Sequence, residues 1–341
     1  MSGGVSGGAS QVLNGVAIDD GFAEAFPMKA TRILITAHTR QWALNAATSA
    51  TGFATSVIAC GCEAGIEREL GADETPDGRP GVSVLIFSMS GKELAKQLER
   101  RVGQCVLTCP TTAVYAGLPV GPRVGGYAAP PPEGAQAGLG RPGAGLPEGE
   151  AVALGRNLRF FGDGWQISKV IDGIRYWRVP VMDGEFVAQE TTAITKAVGG
   201  GNLLFMARDV DAALAVAEAA VAAMKKLPNV VMPFPGGVVR SGSKVGSKYA
   251  SLGASTNDAF CPTLYGLVER SEITPDTRCV MEVVIDGLAE ADVAAAMRAG
   301  IAAGVAIGAA GGLLRISAGN YGGKLGPFHF HLHQLLPEVG A

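Results

Sequence analysis

The chain has 341 residues, with 28 Lys and Arg against 31 Asp and Glu, a net charge of −3, 48% apolar and 17% charged residues. That much apolar material supports packed cores and excludes a chain disordered throughout, while roughly 150 residues per domain makes the length fit about two domains. A near-neutral balance without any basic run excludes a dedicated nucleic-acid binder, since phosphate recognition needs concentrated positive charge.

The first ten residues, MSGGVSGGAS, contain neither the basic region nor the apolar stretch of a targeting signal, which points to the cytoplasm. Six cysteines in so long a chain are too few for a disulfide scaffold and read as thiols in a reducing compartment. Residues 31–37 (TRILITA) are β-branched and predict a strand, 41–50 a helix, and the apolar run 54–59 a second strand. The turn-rich DETPDGRPG at 73–81 separates these from a strand at 82–87 and an amphipathic helix at 92–102. From 118 to 155 the chain is rich in Gly and Pro with almost no large apolar side chains. That composition cannot recover its ordering entropy and predicts a flexible insertion with both ends at the surface. Further strands are expected at 157–161 and 175–180.

The second half repeats the pattern: a strand at 202–207, an Ala-rich helix at 210–226, a strand at 279–285, a helix at 290–303, a strand at 313–317 and a last apolar segment at 328–333. The long polar stretch before 279 is of the kind that carries function. Residues 299–314 form the longest uncharged run; it falls short of the ~20 apolar residues that span a bilayer and reads as a helix end, a Gly turn and a strand start. Helices separated by single or paired strands predict an α+β fold in two lobes, placed at 12–190, including the insertion, and 191–336.

Several common chemistries are absent. SGSKVGSK at Ser241 and YGGKLG at Tyr321 both break the phosphate-loop pattern, no G-x-S-x-G is present, and the cysteine spacings match no zinc ribbon or finger. HFHLH puts His329, His331 and His333 at alternate positions, one face of a strand. Such a row fits either a metal or a solvated, hydrogen-bonded face, and the lack of neighbouring carboxylates or thiols favours the second. Glu282 differs, because in CVMEVVIDGL its neighbours from Cys279 to Ile285 are all apolar. Burial would raise its pKa into the range a general acid needs near neutral pH, whereas an open sheet face would leave it an ordinary solvated carboxylate.

Taken together, GFAEAFPM at Gly21, TGFATSVIACGCEAGIE at Thr51, ETPDGRPGV at Glu74, GQCVLTCPTTA at Gly103, FFGDGW at Phe160, PFPGG at Pro233, ASTNDAFCPT at Ala254 and ISAGNYGGKLG at Ile316 resemble formylmethanofuran:tetrahydromethanopterin formyltransferases. The resemblance implies two ferredoxin-like α/β-sandwich lobes, N-terminal proximal and C-terminal distal. It also implies transfer of a formyl group between the amine of methanofuran and N5 of tetrahydromethanopterin, both as carrier substrates, with no prosthetic group and no metal. By similarity Glu282 is the active-site glutamate. A neutral carboxylic acid there would hydrogen-bond the oxyanion formed when an amine attacks a formamide and pass a proton between the two amines.

Gly-rich backbone and a few polar side chains suit the large, negatively charged carriers. Ser255, Thr256, Asn257, Asn320 and Lys324 lie in matching blocks and are the expected carrier contacts. VGGGN at 198–202 and Gly236 with Gly237 fit either carrier surface or tight turns, and Asp77 with Arg79 fit either a structural turn or a cleft wall. Low charge, abundant Ala and Gly, and the insertion resemble bacterial members, in which the enzyme is the formyltransferase component of a formyltransferase/hydrolase complex working in the formaldehyde-oxidation direction. A free-standing homo-oligomer is the other assembly, and a silent carrier-binding or scaffold component the other function. No membrane or nucleic-acid partner is expected.

Overall fold

The computed structural model describes residues 10–120 and 149–336; most of the predicted insertion, 121–148, lies outside the described residues. The chain divides into two compact units, 28–197 and the segments 10–27 and 198–336 taken together. This differs from a single boundary near 190. The N-terminal segment belongs with the second unit because strand Val16–Ile18 runs parallel to Leu313–Ser317, pairing Ala17 with Arg315 and Ile18 with Ile316. Buried Asp19 then takes the Arg315 guanidinium at 2.5 Å.

Unit 28–197 is built from residues 28–36 of strand β1 (Phe22–Thr36), helix α1 (Arg40–Thr51), β2 (Glu63–Leu70), β3 (Gly81–Ser88), α2 (Gly91–Arg101) and β4 (Ala113–Ala116). The strands pair antiparallel in the order β2, β3, β1, β4. This is the βαββαβ arrangement of a ferredoxin-like α/β sandwich. Both helices start where a hydroxyl satisfies an orphan amide: Thr39 accepts from Trp42 N, and Ser90 from Glu93 N. Their small or apolar faces, Ala43, Ala46, Ala47 and Ala50 on α1, Leu94 and Leu98 on α2, pack against Ile33, Ile35, Val82, Val84 and Ile86 of the sheet. Each large aliphatic buried there contributes about 1.5–3 kcal/mol.

The structure corrects three expectations for this unit. The second strand is Glu63–Leu70, not 54–59: Ser56 accepts from Ile58 N and opens a short helix, Val57–Cys60, whereas the charged Glu63–Leu70 buries Glu67 against Arg32. Residues 157–161 are helical rather than extended, in Gly155–Leu158 and Arg159–Gly162; the amides of Leu154 and Arg156 converge on the Glu190 carbonyl and turn the chain. The flanks of the insertion are ordered and inward, since Glu150–Ala153 pairs antiparallel with residues 191–194 and Leu118 and Leu154 are each 1% exposed. The expected strand at 175–180 is present within Ile174–Val181, hydrogen-bonded to Ile167–Ile171 and Gly184–Gln189.

The second unit repeats the topology with residues 198–207 of β5 (Thr191–Ala207), α3 (Val210–Met224), β6 (Val230–Val231), β7 (Cys279–Gly287), α4 (Glu290–Ile307) and β8 (Leu313–Ser317). Again the order is second, third, first, fourth strand, all antiparallel. Asp209 caps α3 through Ala212 N at 2.7 Å. The Ala- and Gly-rich helices approach closely: a Cβ on Gly300 would stand 2.2 Å from Cε of Met224 and 2.9 Å from Leu203 Cδ1. Residues 299–314 form a helix end, a turn with Gly308 and Gly312 at positive φ, and a strand start, as the sequence predicts. Among the described residues, no helix is long and apolar enough to cross a membrane.

Candidate active site around Glu282

Strand alternation on β7 sends Val283 and Ile285, both fully buried, into the core with α3 and α4, and so turns Glu282 to the helix-free face. That face is not open. Along the outer edge of β7, Val239 exchanges both backbone hydrogen bonds with Glu282, at 2.7 and 2.9 Å, and carries the chain into Gly242. A Cβ on Gly242 would lie 3.2 Å from Glu282 Oε2 and 3.9 Å from Asn257 Cβ. Glu282 is half-buried as a residue, and desolvation of its carboxyl pushes the pKa up to about 7. Among the described residues no Lys or Arg charge opposes that rise, so the carboxyl is poised to take up and release a proton near neutral pH.

The loop after β8 lies within electrostatic reach of Glu282. Tyr321 on this loop is half-buried; burial, then the charges of Glu282 and Glu24, hold its phenol above the ordinary tyrosine range. Its ring stands 6.0 Å from that of Phe26. The loop is fastened at several points. Asn202 on β5 accepts from Gly319 N at 2.7 Å. Glu24, 1% exposed, accepts from the amides of Tyr321 and Gly323 on Oε2 and of Leu325 and Gly326 on Oε1, at 2.6–2.9 Å. Burial works to raise the Glu24 pKa, but the four amides outweigh it and the result is below the usual carboxylate range.

The five expected carrier contacts lie in the same unit and fall into three groups. Ser255 and Asn320 hydrogen-bond backbone groups: Ser255 donates to the Gly246 carbonyl at 2.7 Å, and Asn320 bridges the Phe22 carbonyl and Gly322 N. Thr256 is exposed, with its hydroxyl 3.5 Å from Cys261 Sγ. Asn257 and Lys324 keep free functional groups. The Asn257 backbone amide is held by Gly242 O at 2.8 Å, and among the described residues its side chain makes no hydrogen bond and Lys324, which is exposed, makes no ion pair. Glu24 and Gly242 are not among the site residues expected from the sequence, whereas Tyr321 and Asn202 lie in the noted blocks ISAGNYGGKLG and VGGGN. Glu24, an acid between alanines in GFAEAFPM, meets the criterion that selected Glu282.

The remaining motifs are structural. Gly201 packs where a Cβ would lie 2.4 Å from Val293, and Gly200, at φ +89°, donates its amide to Asp286, so the glycines of VGGGN form a bulge in β5. Asp77 accepts from Thr36, Arg79 and Tyr115, tying the 73–81 turn to β1 and β4. His329 and His331 are exposed on β9 (Phe328–His331), and His333 falls beyond it in a 3-10 turn. His329 donates to Gly326 O and His333 to Ile18 O, so the row is a hydrogen-bonded face. No group of three or more His, Cys, Asp or Glu able to hold a metal occurs among the described residues.

The family model described as formylmethanofuran-tetrahydromethanopterin formyltransferase matches residues 12–125, and its companion, described as the proximal lobe, matches 184–335. The chain belongs to this formyltransferase family. The family model gives the word proximal to the C-terminal part, whereas the resemblance in sequence led us to expect it for the N-terminal one. A formylmethanofuran–tetrahydromethanopterin formyltransferase from Methylococcus capsulatus is 62% identical over 325 residues, 95% of this chain and 99% of the relative. A component of the formyltransferase/hydrolase complex of Methylorubrum extorquens is 48% identical, covering 96% and 98%. Among solved structures, that complex with methylofuran aligns at TM-score 0.86 with 47% identity, over 96% of this chain and 99% of the matched one. The formyltransferase of Methanosarcina barkeri aligns at 0.82 with 46% identity, over 95% and 100%. The α+β formyltransferase fold is thus shared across bacterial and archaeal relatives.

Proposed function

We propose that this formyltransferase moves a formyl group between a methanofuran-type primary amine and N5 of tetrahydromethanopterin, with Glu282 as the acid that serves the tetrahedral adduct. In the formaldehyde-oxidation direction, the amine nitrogen attacks the N5-formyl carbon and the carbonyl electron pair moves to oxygen. Neutral Glu282 donates a hydrogen bond or proton to that oxygen. Collapse re-forms the C=O bond and breaks the bond to N5, which receives the proton the attacking amine gives up. The observation carrying this reading is the half-buried carboxyl with its pKa at about 7, able to give and regain a proton at physiological pH. Holding two large carriers in register supplies much of the remaining acceleration.

Asn257 and Lys324 are the carrier contacts this reading retains, Lys324 toward the acidic part of a carrier. Assembly with hydrolase-type partners follows the similarity to the M. extorquens complex. Cytoplasmic location fits the six free cysteines, and the chemistry above needs no prosthetic group. Nothing in the site favours a silent scaffold, which has no use for a desolvated carboxyl.

The test is a coupled absorbance assay of formyl transfer between the two carriers with wild type and Glu282→Gln. Glu282→Gln is expected to bind both carriers with kcat reduced at least 100-fold. A variant within twofold of wild type overturns the role of Glu282.

A further inference from the structure

We propose that Glu24 is a positioning residue for formyl transfer, the internal anion around which the loop 319–326 folds to hold Tyr321 near Glu282. The inference rests on the reading of Glu282 as the catalytic acid. The loop sequence, GNYGGKLG, is Gly-rich and has little intrinsic preference for one conformation. Gly322 and Gly323 take positive φ, which aims successive amides inward, the geometry by which backbone binds an anion. Here the anion is the protein's own. Both Glu24 oxygens receive two amides each, and among the described residues no Lys or Arg neutralises it.

Replacing that carboxylate by an amide would leave two of the four loop N–H groups facing an NH2 donor. The other anchors do not bond these amides: Asn320 bridges the Phe22 carbonyl and Gly322 N, and Phe26 meets only the Tyr321 ring. His329, directly across the strand pair from Glu24, holds only the far end of the loop through Gly326 O, and Asn202 holds only its start at Gly319. Tyr321, Gly323 and Leu325 depend on Glu24 alone for their amides. The charged or titratable groups facing this cluster are Tyr321 and Glu282 on the site side, Lys324 on the loop and His329 on β9. A bulky substitution in the loop would also disturb it: at Gly326, a Cβ would stand 2.2 Å from the Ala25 carbonyl oxygen.

The experiment compares wild type with Glu24→Gln and Glu24→Asp in the assembled, full-length protein. Glu24→Gln is expected to lower kcat at least tenfold, and to shift the carboxyl titration of Glu282, followed by carbon NMR, at least one pH unit toward acid as water enters. Glu24→Asp, which keeps the charge, is expected to recover part of both. A folded Glu24→Gln with kcat within twofold and the Glu282 titration unmoved overturns the proposal. Amide exchange in the wild type covers the case in which the variants do not fold: the amides of Tyr321, Gly323 and Leu325 are expected to be protected together at neutral pH. Exchange at the rate of free loop amides overturns the proposal. If the amides are protected and the titration shifts while Glu282→Gln keeps full activity, Glu24 still orders the loop and it is the role of Glu282 that fails.

Discussion

Gly242 stands against the carboxyl of Glu282, so close that the first carbon of any side chain at 242 would lie 3.2 Å from Oε2. The residue's φ is not positive, so alanine is compatible with the backbone and its effect is steric crowding of the acid. Gly242→Ala is expected to keep the melting temperature within a few degrees and lower kcat roughly tenfold. A crystal structure or thermal melt of the variant, read beside the rate, separates crowding from misfolding.

The raised pKa of Glu282 also couples stability to pH. The folded protein holds this proton to about pH 7 while the unfolded chain releases it near 4.5. The stability it contributes is therefore complete below about pH 4.5 and is lost as pH rises through about 7, a change on the order of 3 kcal/mol. Glu282→Gln carries no ionisable group, so its stability relative to wild type is expected to rise across that window. Paired urea melts at pH 5 and pH 8 check it, and a constant difference would show that the carboxyl is solvated.

In unit 28–197, Arg32 and Glu67 form a buried bidentate pair with N–O distances of 2.6 and 2.8 Å, and Ser83 donates to the same carboxylate. Removing one partner strands a charge away from water. Arg32→Met or Glu67→Leu alone is expected to cost about 3–5 kcal/mol, and the double variant appreciably less than the sum of the two. A double-mutant cycle by chemical denaturation measures this.

Lys324 sits exposed on a loop whose backbone is held elsewhere, so its charge is free for a ligand. Lys324→Ala is expected to raise KM for the more acidic carrier several-fold with kcat little changed, and the difference should shrink at high salt. Steady-state kinetics at two ionic strengths checks both parts.

The periodicity of large apolar residues made the second unit legible almost element by element, since β7, α3, α4 and β8 are built from runs of Val, Ile, Leu and Ala. The first unit was harder. Its second strand carries Glu63, Glu67, Arg68 and Glu69, and only the buried partner Arg32, more than thirty residues away, explains why such a strand forms. Leu118, Val152 and Leu154 are isolated apolar residues in a Gly/Pro-rich stretch, and composition averaged over the whole stretch hid them. At the site, Glu282 was visible because an acid in an apolar strand is conspicuous. Tyr321 and Glu24 owe their positions to contacts between segments 297 residues apart, which no local pattern contains. Ser255 and Asn320 show the converse: polar residues in the expected blocks that also hydrogen-bond backbone groups, which the blocks alone do not reveal.

The nesting of 28–197 within the unit formed by 10–27 and 198–336 bears on synthesis at the ribosome. The inner segment is contiguous and can complete its sheet as soon as it emerges. The outer one must wait: Val16–Ile18 and Glu24 are made among the first residues but meet their partners, Leu313–Ser317 and the 319–326 loop, only when translation is nearly finished. A nascent chain stalled before residue 310 would thus have every residue of its first lobe and Glu282 itself, yet lack the strand and loop that complete the second.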